Sequence, residues 1–288
     1  MPLLSNDHLT IEIAERGAEL RSIHDAEGGE WLWHGDPAWW GGRAPLLFPL
    51  VGRSPDDTVS IAGKTYPMKQ HGFARTSDFT IESADRTSAV LTLTDSPATR
   101  EIYPFAFALT IAYRLDGTTL GTTATVENRD SAPMPFQFGF HPGFAWPLPR
   151  ARGEAHQVVL GNGGEPPLHR LDGATKLLLA ESLPSPFRDG VLTPQAAMFE
   201  DDAMLFLSGA GDHFAFVAAG GTRLDMRVTN LPEFALWQKP GAPYLCLEPW
   251  HGTTPFTGTG DALETRNGAA VLPPGETMQF GMDLRFTH

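Results

Sequence analysis

The sequence has little of what a disulfide, a thiolate metal site or a nucleic-acid interface requires. Its 288 residues include one cysteine, Cys246, which excludes an intramolecular disulfide and any site with several thiolate ligands. Acidic residues number 34 against 21 basic ones, the formal net charge is −13, and no concentrated basic run occurs. Nucleic acid and anionic membrane surfaces are therefore poor candidate partners.

Long apolar runs and cofactor motifs are also lacking. No stretch approaches the roughly 18 consecutive apolar residues of a membrane span, and residues 1–17 show neither a basic leader nor an apolar segment with a cleavage site. We therefore expect a cytoplasmic protein. The ten histidines form no His-x-His or His-x-x-x-His pair, and neither a phosphate-binding loop nor a Gly-x-Ser-x-Gly elbow is present. We therefore expect no zinc or other metal site.

Helical periodicity sustained over three turns is absent as well, whereas turn-forming residues are abundant. The 30 glycines and 25 prolines separate short segments in which apolar and polar residues alternate. The clearest segment, 277–286 "TMQFGMDLRF", places Met278, Phe280, Met282, Leu284 and Phe286 on one face, as in a half-buried antiparallel strand. The sequence predicts an all-β fold with a dozen or more strands.

Several features bear on how the strands are organised. No repeat of fixed period is visible, which argues against a propeller or a solenoid. No long polar linker divides the chain, so we expect one domain spanning residues 1–288. A helical turn is expected near "DPAWWGG", residues 36–42, and an exposed loop over residues 161–176.

The segment "YLCLEPWHG", residues 244–252, carries a carboxylate at the end of an apolar strand. Alternation directs Glu248 away from Leu245 and Leu247. We expect Pro249 to end the strand just beyond it. Glu248 is then either a surface glutamate on a solvated face or, if Trp250 flanks it, a base with a shifted pKa.

Two histidine-containing segments are further candidates for a site. In "FQFGFHPGF" four phenylalanines surround His141, and Gln137 lies on the same side if the run is extended, so His141 is either a core histidine or a general acid. In "HGFAR" Arg75 stands four residues after His71. That pair either belongs to a surface loop or contacts a ligand where Gly72 allows close approach.

Taken together and in this order, these segments resemble the aldose 1-epimerase (mutarotase) family in its bacterial branch. The resemblance extends from about residue 9 to residue 286 and includes a "GAELRSI" segment at 17–23. The motifs that carry it are "LFPLVGR" (47–53), "HGFAR" (71–75), "FHPGF" (140–144) and "CLEPWHG" (246–252).

The resemblance implies the galactose mutarotase-like fold, a large antiparallel β-sandwich with an open cleft, and interconversion of the α and β anomers of a free sugar without a cofactor. It implies that Glu248 removes the proton of the C1 hydroxyl and that His141 donates a proton to the ring oxygen. His71 and Arg53 resemble residues that hold sugar hydroxyls. We expect Arg75, Trp250 and Gln137 to complete the substrate-binding set.

Two departures from the family pattern concern the substrate. Members that act on hexose 6-phosphates often carry "RGGIP", whereas this chain has "GGRAP", with Arg43 only two residues before Pro45. A phosphate site would require the side chains of Arg43, Arg53 and Arg75 to lie close together. For the aspartate that contacts sugar in galactose-type members, Asp202 is the candidate. A hexose-6-phosphate 1-epimerase and a non-catalytic carbohydrate-binding module remain the alternatives, and the sequence does not indicate the oligomeric state.

Overall fold

A computed structural model describes residues 1–288 and confirms the all-β prediction. The strands are Leu3–Ser5 (β1), Leu9–Ile13 (β2), Leu20–Asp25 (β3), Leu46–Leu47 (β4), Thr58–Ile61 (β5), Lys64–Pro67 (β6), Thr80–Ala84 (β7), Ser88–Thr94 (β8), Phe107–Asp116 (β9), Thr119–Asn128 (β10), Met134–Phe136 (β11), Phe138–Phe140 (β12), Gly143–Ala145 (β13), His156–Leu160 (β14), Leu168–Leu171 (β15), Leu178–Leu183 (β16), Val191–Leu192 (β17), Met204–Phe206 (β18), His213–Ala218 (β19), Arg223–Thr229 (β20), Glu233–Trp237 (β21), Tyr244–His251 (β22), Ala270–Leu272 (β23) and Thr277–Thr287 (β24). The helical elements are one α-helix, Pro97–Ile102 (α1), and short 3-10 turns at Pro55–Asp57, Ala74–Thr76, Ala196–Phe199 and Leu263–Thr265.

Two large antiparallel sheets make up most of the structure. The nine-stranded sheet has the order β17-β14-β19-β20-β24-β10-β9-β8-β7. The eight-stranded sheet has the order β16-β15-β18-β21-β22-β12-β4, and β13 also pairs with β22. A three-stranded sheet, β1-β2-β3, and the pairs β5-β6 and β11-β23 complete the fold.

The two large sheets pack face to face across the main hydrophobic core. Phe138 on β12 stacks on Phe280 of β24 with ring centroids 4.9 Å apart, and Phe214 on β19 stacks on Phe234 of β21 at 3.9 Å. Along β24 the apolar side chains from Phe280 to Phe286 are buried, and the polar residues between them are exposed. This arrangement is the predicted β-sandwich, in which each sheet buries one face against the other.

Strand β22 lies inside the eight-stranded sheet and is buried along nearly its whole length. Leu245 and Leu247 join the main core, whereas Tyr244 and Cys246 belong to a small cluster on the opposite face. The predicted alternation is therefore confirmed. It places Glu248 on the outer face of the sandwich, where the structure buries it beneath loops to 1 % exposure.

Pro249 does not end the strand as expected, because β22 continues to His251. The N–H of Leu247 donates to the carbonyl of Pro142, so an N–H two residues later would face the same side. The register places Pro249 opposite Phe140, the last residue of β12. The proline therefore costs one ladder hydrogen bond at the end of β12, while on its other side β22 stays paired with β21, where Pro249 lies opposite Phe234.

The structure bears on two local predictions. The helical turn expected near residues 36–42 is present as a single turn, in which the Asp36 carbonyl accepts from the N–H groups of Trp39 and Trp40 at 3.0 and 2.9 Å. By contrast, β15 crosses the segment 161–176 that was expected to be a loop. Helix α1 has only six residues, too few to show a period, although Ser96 and Thr99 form a capping box at its start. No helix of the structure has the length and hydrophobicity needed to cross a membrane.

Candidate active site

The register of the strands brings Glu248 and His141 together. Gly139 pairs with Trp250 and Gly143 pairs with Cys246, so the midpoint, His141, lies opposite Glu248. Both side chains emerge on the outer face of the sheet, and Nε2 of His141 lies 3.2 Å from Oε2 of Glu248. His141 lies in the break between β12 and β13, and there it forms a cross-strand pair with Glu248 of β22.

Burial governs the ionisation of this pair. It raises the pKa of Glu248 well above its ordinary value, with a smaller contribution from the nearby Asp202 carboxylate. It also lowers the pKa of His141 to about 3. Neither carboxylate oxygen of Glu248 accepts a hydrogen bond from the protein. These surroundings therefore favour the uncharged pair, since a buried carboxylate without donors is costly.

His71 lies beside His141, with ring centroids 5.7 Å apart. Its Nδ1 accepts a hydrogen bond from the N–H of Gly52 at 3.1 Å, so the ring proton is on Nε2. The atom 3.2 Å from Nε2 is the side-chain nitrogen of Gln70, which is a donor and does not accept this proton. Burial, followed by the charges of neighbouring groups, lowers the pKa of His71 well below its ordinary value. His71 is therefore a neutral imidazole with an N–H available to a ligand oxygen.

The pair lies in a cavity of about 310 Å³, at the lower end of the range for small-ligand pockets. Six of the seven predicted site residues line it: His141, Glu248, His71, Arg53, Arg75 and Trp250. Arg53 is held by a two-pronged hydrogen bond to Asp57, whereas the guanidinium of Arg75 donates to the Gln70 carbonyl. Trp250 is 5 % exposed, and its Nε1 lacks a partner.

Gln137 is a correction to the predicted substrate-binding set. It is fully buried and is not part of the cavity wall. Its side-chain oxygen accepts from the N–H of Val51, and its amide nitrogen donates to the carbonyls of Thr253 and Asn267. These bonds join the loop after β4 to the loop after β22, so Gln137 supports the site from behind.

Arg43 also lies outside the cavity, where its side chain donates to the Arg21 carbonyl. The cavity cations are therefore Arg53, Arg75 and Lys176. Lys176 was missed because it belongs to a loop far from any motif, and it forms an ion pair with Asp202 at 2.8 Å. Asp202, the candidate aspartate, does line the cavity.

The sequence reasoning also missed two tryptophans. Trp40 stacks on the His141 ring with centroids 5.0 Å apart, and Trp237 meets the same ring edge-on at 5.8 Å. The segments "AWWGG" and "FALWQ" contained the signal, because aromatic side chains on the polar face of a strand or in a loop often line ligand sites. Neither segment could be connected to His141 without the fold.

His141, Cys246 and Glu248 could together supply three metal ligands, since their donor atoms lie within 4.8 Å of one another. A metal would bind the thiolate form of Cys246. Burial and the neighbouring Glu248 raise the pKa of this thiol well above its ordinary value. The environment therefore opposes the thiolate and fits a neutral thiol beneath the cavity better than a metal ligand.

Comparison with known proteins identifies the family and agrees with the fold. The family model described as Aldose 1-epimerase matches residues 3–285. Protein LacX (plasmid) of Lactococcus lactis subsp. lactis is 27% identical over 293 residues, covering 98% of this chain and 97% of the relative.

Two solved structures have the same fold. A galactose mutarotase related enzyme from Lactobacillus acidophilus is 28% identical, with a TM-score of 0.93 over 99% of this chain and 97% of that one. A galactose mutarotase-like protein from Lactobacillus casei ATCC 334 is 26% identical, with a TM-score of 0.92 over 100% of both chains. The family match spans nearly the whole chain, and the chain belongs to the aldose 1-epimerase family.

Proposed function

We propose that this protein is an aldose 1-epimerase that interconverts the α and β anomers of a sugar, with Glu248 and His141 as the acid-base pair. The observation that carries the proposal is the cross-strand position of the two side chains on the floor of a cavity. Both carboxylate oxygens lack donors from the protein, so they are free to accept from a ligand.

The reaction needs one proton removed and one added on neighbouring oxygens. In ring opening, Glu248 takes the proton of the C1 hydroxyl, C1 becomes a carbonyl as its bond to the ring oxygen breaks, and His141 protonates that oxygen. Rotation about the C1–C2 bond and reversal of the same transfers give either anomer. Protons and electrons balance without an external oxidant, reductant or cofactor.

Substrate binding can change the charge state of the pair. Burial by the protein favours protonated Glu248 and neutral His141, whereas the proposed opening step begins with a carboxylate and an imidazolium. The C1 hydroxyl of a bound sugar supplies the hydrogen-bond donor that the protein withholds from Glu248. A hydrogen bond from this hydroxyl favours the carboxylate form of Glu248. The carboxyl proton of Glu248 can then move to Nε2 of His141, which lies 3.2 Å from Oε2 of Glu248.

The remaining cavity residues suit a sugar. The Nε2–H of His71 and the guanidinium groups of Arg53 and Arg75 are donors for hydroxyls, and the ring of Trp250 offers an apolar surface for C–H groups. We propose that residues 1–288 form one catalytic domain that acts on a small sugar in the cytoplasm.

A hexose 6-phosphate is the second candidate substrate, because one cavity cation has no acidic partner. Arg53 is paired with Asp57, and Lys176 with Asp202, whereas the only hydrogen bond of the Arg75 side chain is to a backbone carbonyl. An unpaired guanidinium is suited to two-pronged binding of a phosphate.

The test is an NMR exchange experiment that follows anomer interconversion over free and 6-phosphorylated hexoses and pentoses. Faster exchange than the spontaneous rate for at least one sugar is expected. Arg75→Gln should raise KM for a phosphorylated substrate far more than for its free counterpart. Arg227→Gln, an exposed arginine on the outer face of β20, is the matched control. Sugar binding in calorimetry with no added exchange would indicate a binding module instead.

A further inference from the structure

The imidazole of His141 lacks the hydrogen bond that usually orients a proton-transferring histidine. Its Nδ1 is buried and has no partner outside its own residue, and Nε2 approaches Glu248 without forming an aligned hydrogen bond. In most acid-base sites a third group holds the second ring nitrogen and so fixes the plane of the ring. Here that plane must be fixed by packing.

Three rings surround the imidazole. Trp40 covers one face, with centroids 5.0 Å apart and planes inclined by 28°. Trp237 and His71 meet the ring edge-on, at 5.8 Å and 5.7 Å with planes inclined by 81° and 84°. A flat contact on one face and two edge contacts restrict rotation of the imidazole, and of the three only the Trp40 contact is parallel to its plane.

Trp40 is itself held firmly although it belongs to the loop between β3 and β4. Its backbone N–H donates to the Asp36 carbonyl at 2.9 Å, and its carbonyl accepts from Nε1 of the buried Trp33 at 2.8 Å. Its ring packs edge-on against Trp237 at 5.4 Å. A Cβ at Gly143 would lie 2.9 Å from its Cζ3, so the absence of a side chain there leaves room for the indole.

We infer that Trp40 is a positioning residue that orients His141 for proton transfer by stacking on it. The inference rests on the proposed function. Trp40 replaces the missing hydrogen-bonded partner, and its role is exerted through the imidazole more than through the sugar. Because a misplacement of about 1 Å can cost about 100-fold in rate, loss of the flat contact should lower kcat by about 10- to 100-fold with little change in KM.

Three substitutions of Trp40 separate orientation from burial. Trp40→Phe keeps a flat ring and should retain kcat within a few-fold. Trp40→Leu keeps an apolar side chain over His141 but no flat ring, and Trp40→Ala removes the apolar cover as well. These two substitutions should each lower kcat. The neighbouring Trp39, 37 % exposed, provides the matched control, and Trp39→Leu should leave kcat unchanged. Wild-type kcat in Trp40→Leu, or an effect on KM alone, would overturn the inference.

An NMR titration of the His141 ring provides a readout that does not depend on turnover, with His141→Gln used for assignment. Trp40→Ala should raise the pKa of His141 from about 3 towards its ordinary value, because water reaches the ring. Trp40→Leu should keep the pKa of His141 low but broaden its ring resonances, because the imidazole then exchanges between several orientations. Sharp, unshifted resonances in Trp40→Leu would refute positioning. Broadened resonances in a protein with no epimerase activity would support positioning and refute the proposed function.

Discussion

Substitution of Gly72 by alanine should destabilise the protein next to the active site. Gly72 follows His71 and has φ +68, in the left-handed region. A Cβ there would lie 2.5 Å from the carbonyl carbon of Phe48 and 2.7 Å from Cδ of Pro49. The Phe48 carbonyl oxygen also accepts the N–H groups of Phe73 and Ala74, at 3.0 and 3.2 Å. The obstructing atoms are the Phe48 carbonyl group, which cannot retreat without weakening those bonds, and the ring of Pro49.

The expected cost has two parts. A left-handed conformation costs a non-glycine residue about 1–2 kcal/mol. Forcing a methyl group into packed backbone costs about 1–3 kcal/mol more. Gly63 isolates the first part, because it has φ +77 in the exposed turn between β5 and β6, with no atom within 4 Å of its hypothetical Cβ. The loss in free energy of unfolding should therefore be about 1–3 kcal/mol larger for Gly72→Ala than for Gly63→Ala.

Thermal unfolding followed by circular dichroism measures this difference. At about 2–4 °C per kcal/mol for domains of 150–250 residues, the Tm of Gly72→Ala should fall about 2–12 °C below that of Gly63→Ala. Epimerase activity should also fall in Gly72→Ala, because His71 must move with its neighbour. Equal Tm values for the two variants would refute the packing argument.

Three further predictions concern buried groups. The Cys246 thiol is fully buried and its pKa is raised, so a thiol reagent at pH 8 should label it only after unfolding, and labelling of the native protein would contradict the burial. Because the pKa of His141 is about 3 when folded and near 6.5 when unfolded, the unfolded state binds more protons between these values. Stability should thus decline as pH falls below about 6.5, and His141→Gln should weaken that decline in thermal unfolding; an identical pH profile would count against it. The side chain of Arg266, 6 % exposed, donates to the carbonyls of Val51, Arg53 and Thr253. Arg266→Leu should lower the free energy of unfolding by about 3 kcal/mol or more in urea titration, and a loss below about 1 kcal/mol would be inconsistent with these bonds.

Local alternation was sufficient to predict part of the fold and part of the site. In β22 and β24 the period of two alone identified the face that contributes to the main core, because successive side chains of a strand point to opposite sides. It directed Glu248 away from the core correctly. Alternation could not show what covers the outer face, and so it could not distinguish a solvated glutamate from one buried to 1 % exposure.

The remaining features depend on contacts between distant parts of the chain. The pairing of His141 with Glu248 requires the register of β12 and β13 against β22, which no local pattern encodes. Trp40 and Lys176 reach the cavity from loops whose paths are set by tertiary packing. Gln137 was misassigned for a related reason, since the chain leaves the extended path between β11 and β12 and turns its side chain towards other loops.

The central claim is that Glu248 acts as the proton acceptor in anomer interconversion. Its most direct test is the exchange rate of α and β anomers, measured by NMR for the wild-type protein and for Glu248→Gln with the preferred sugar. The account predicts a loss of about 100-fold or more in kcat, since general acid-base catalysis contributes about that much, together with an essentially unchanged Tm because a neutral amide replaces a buried carboxyl group of the same shape whose raised pKa already keeps it uncharged. An undiminished exchange rate in folded Glu248→Gln would contradict it.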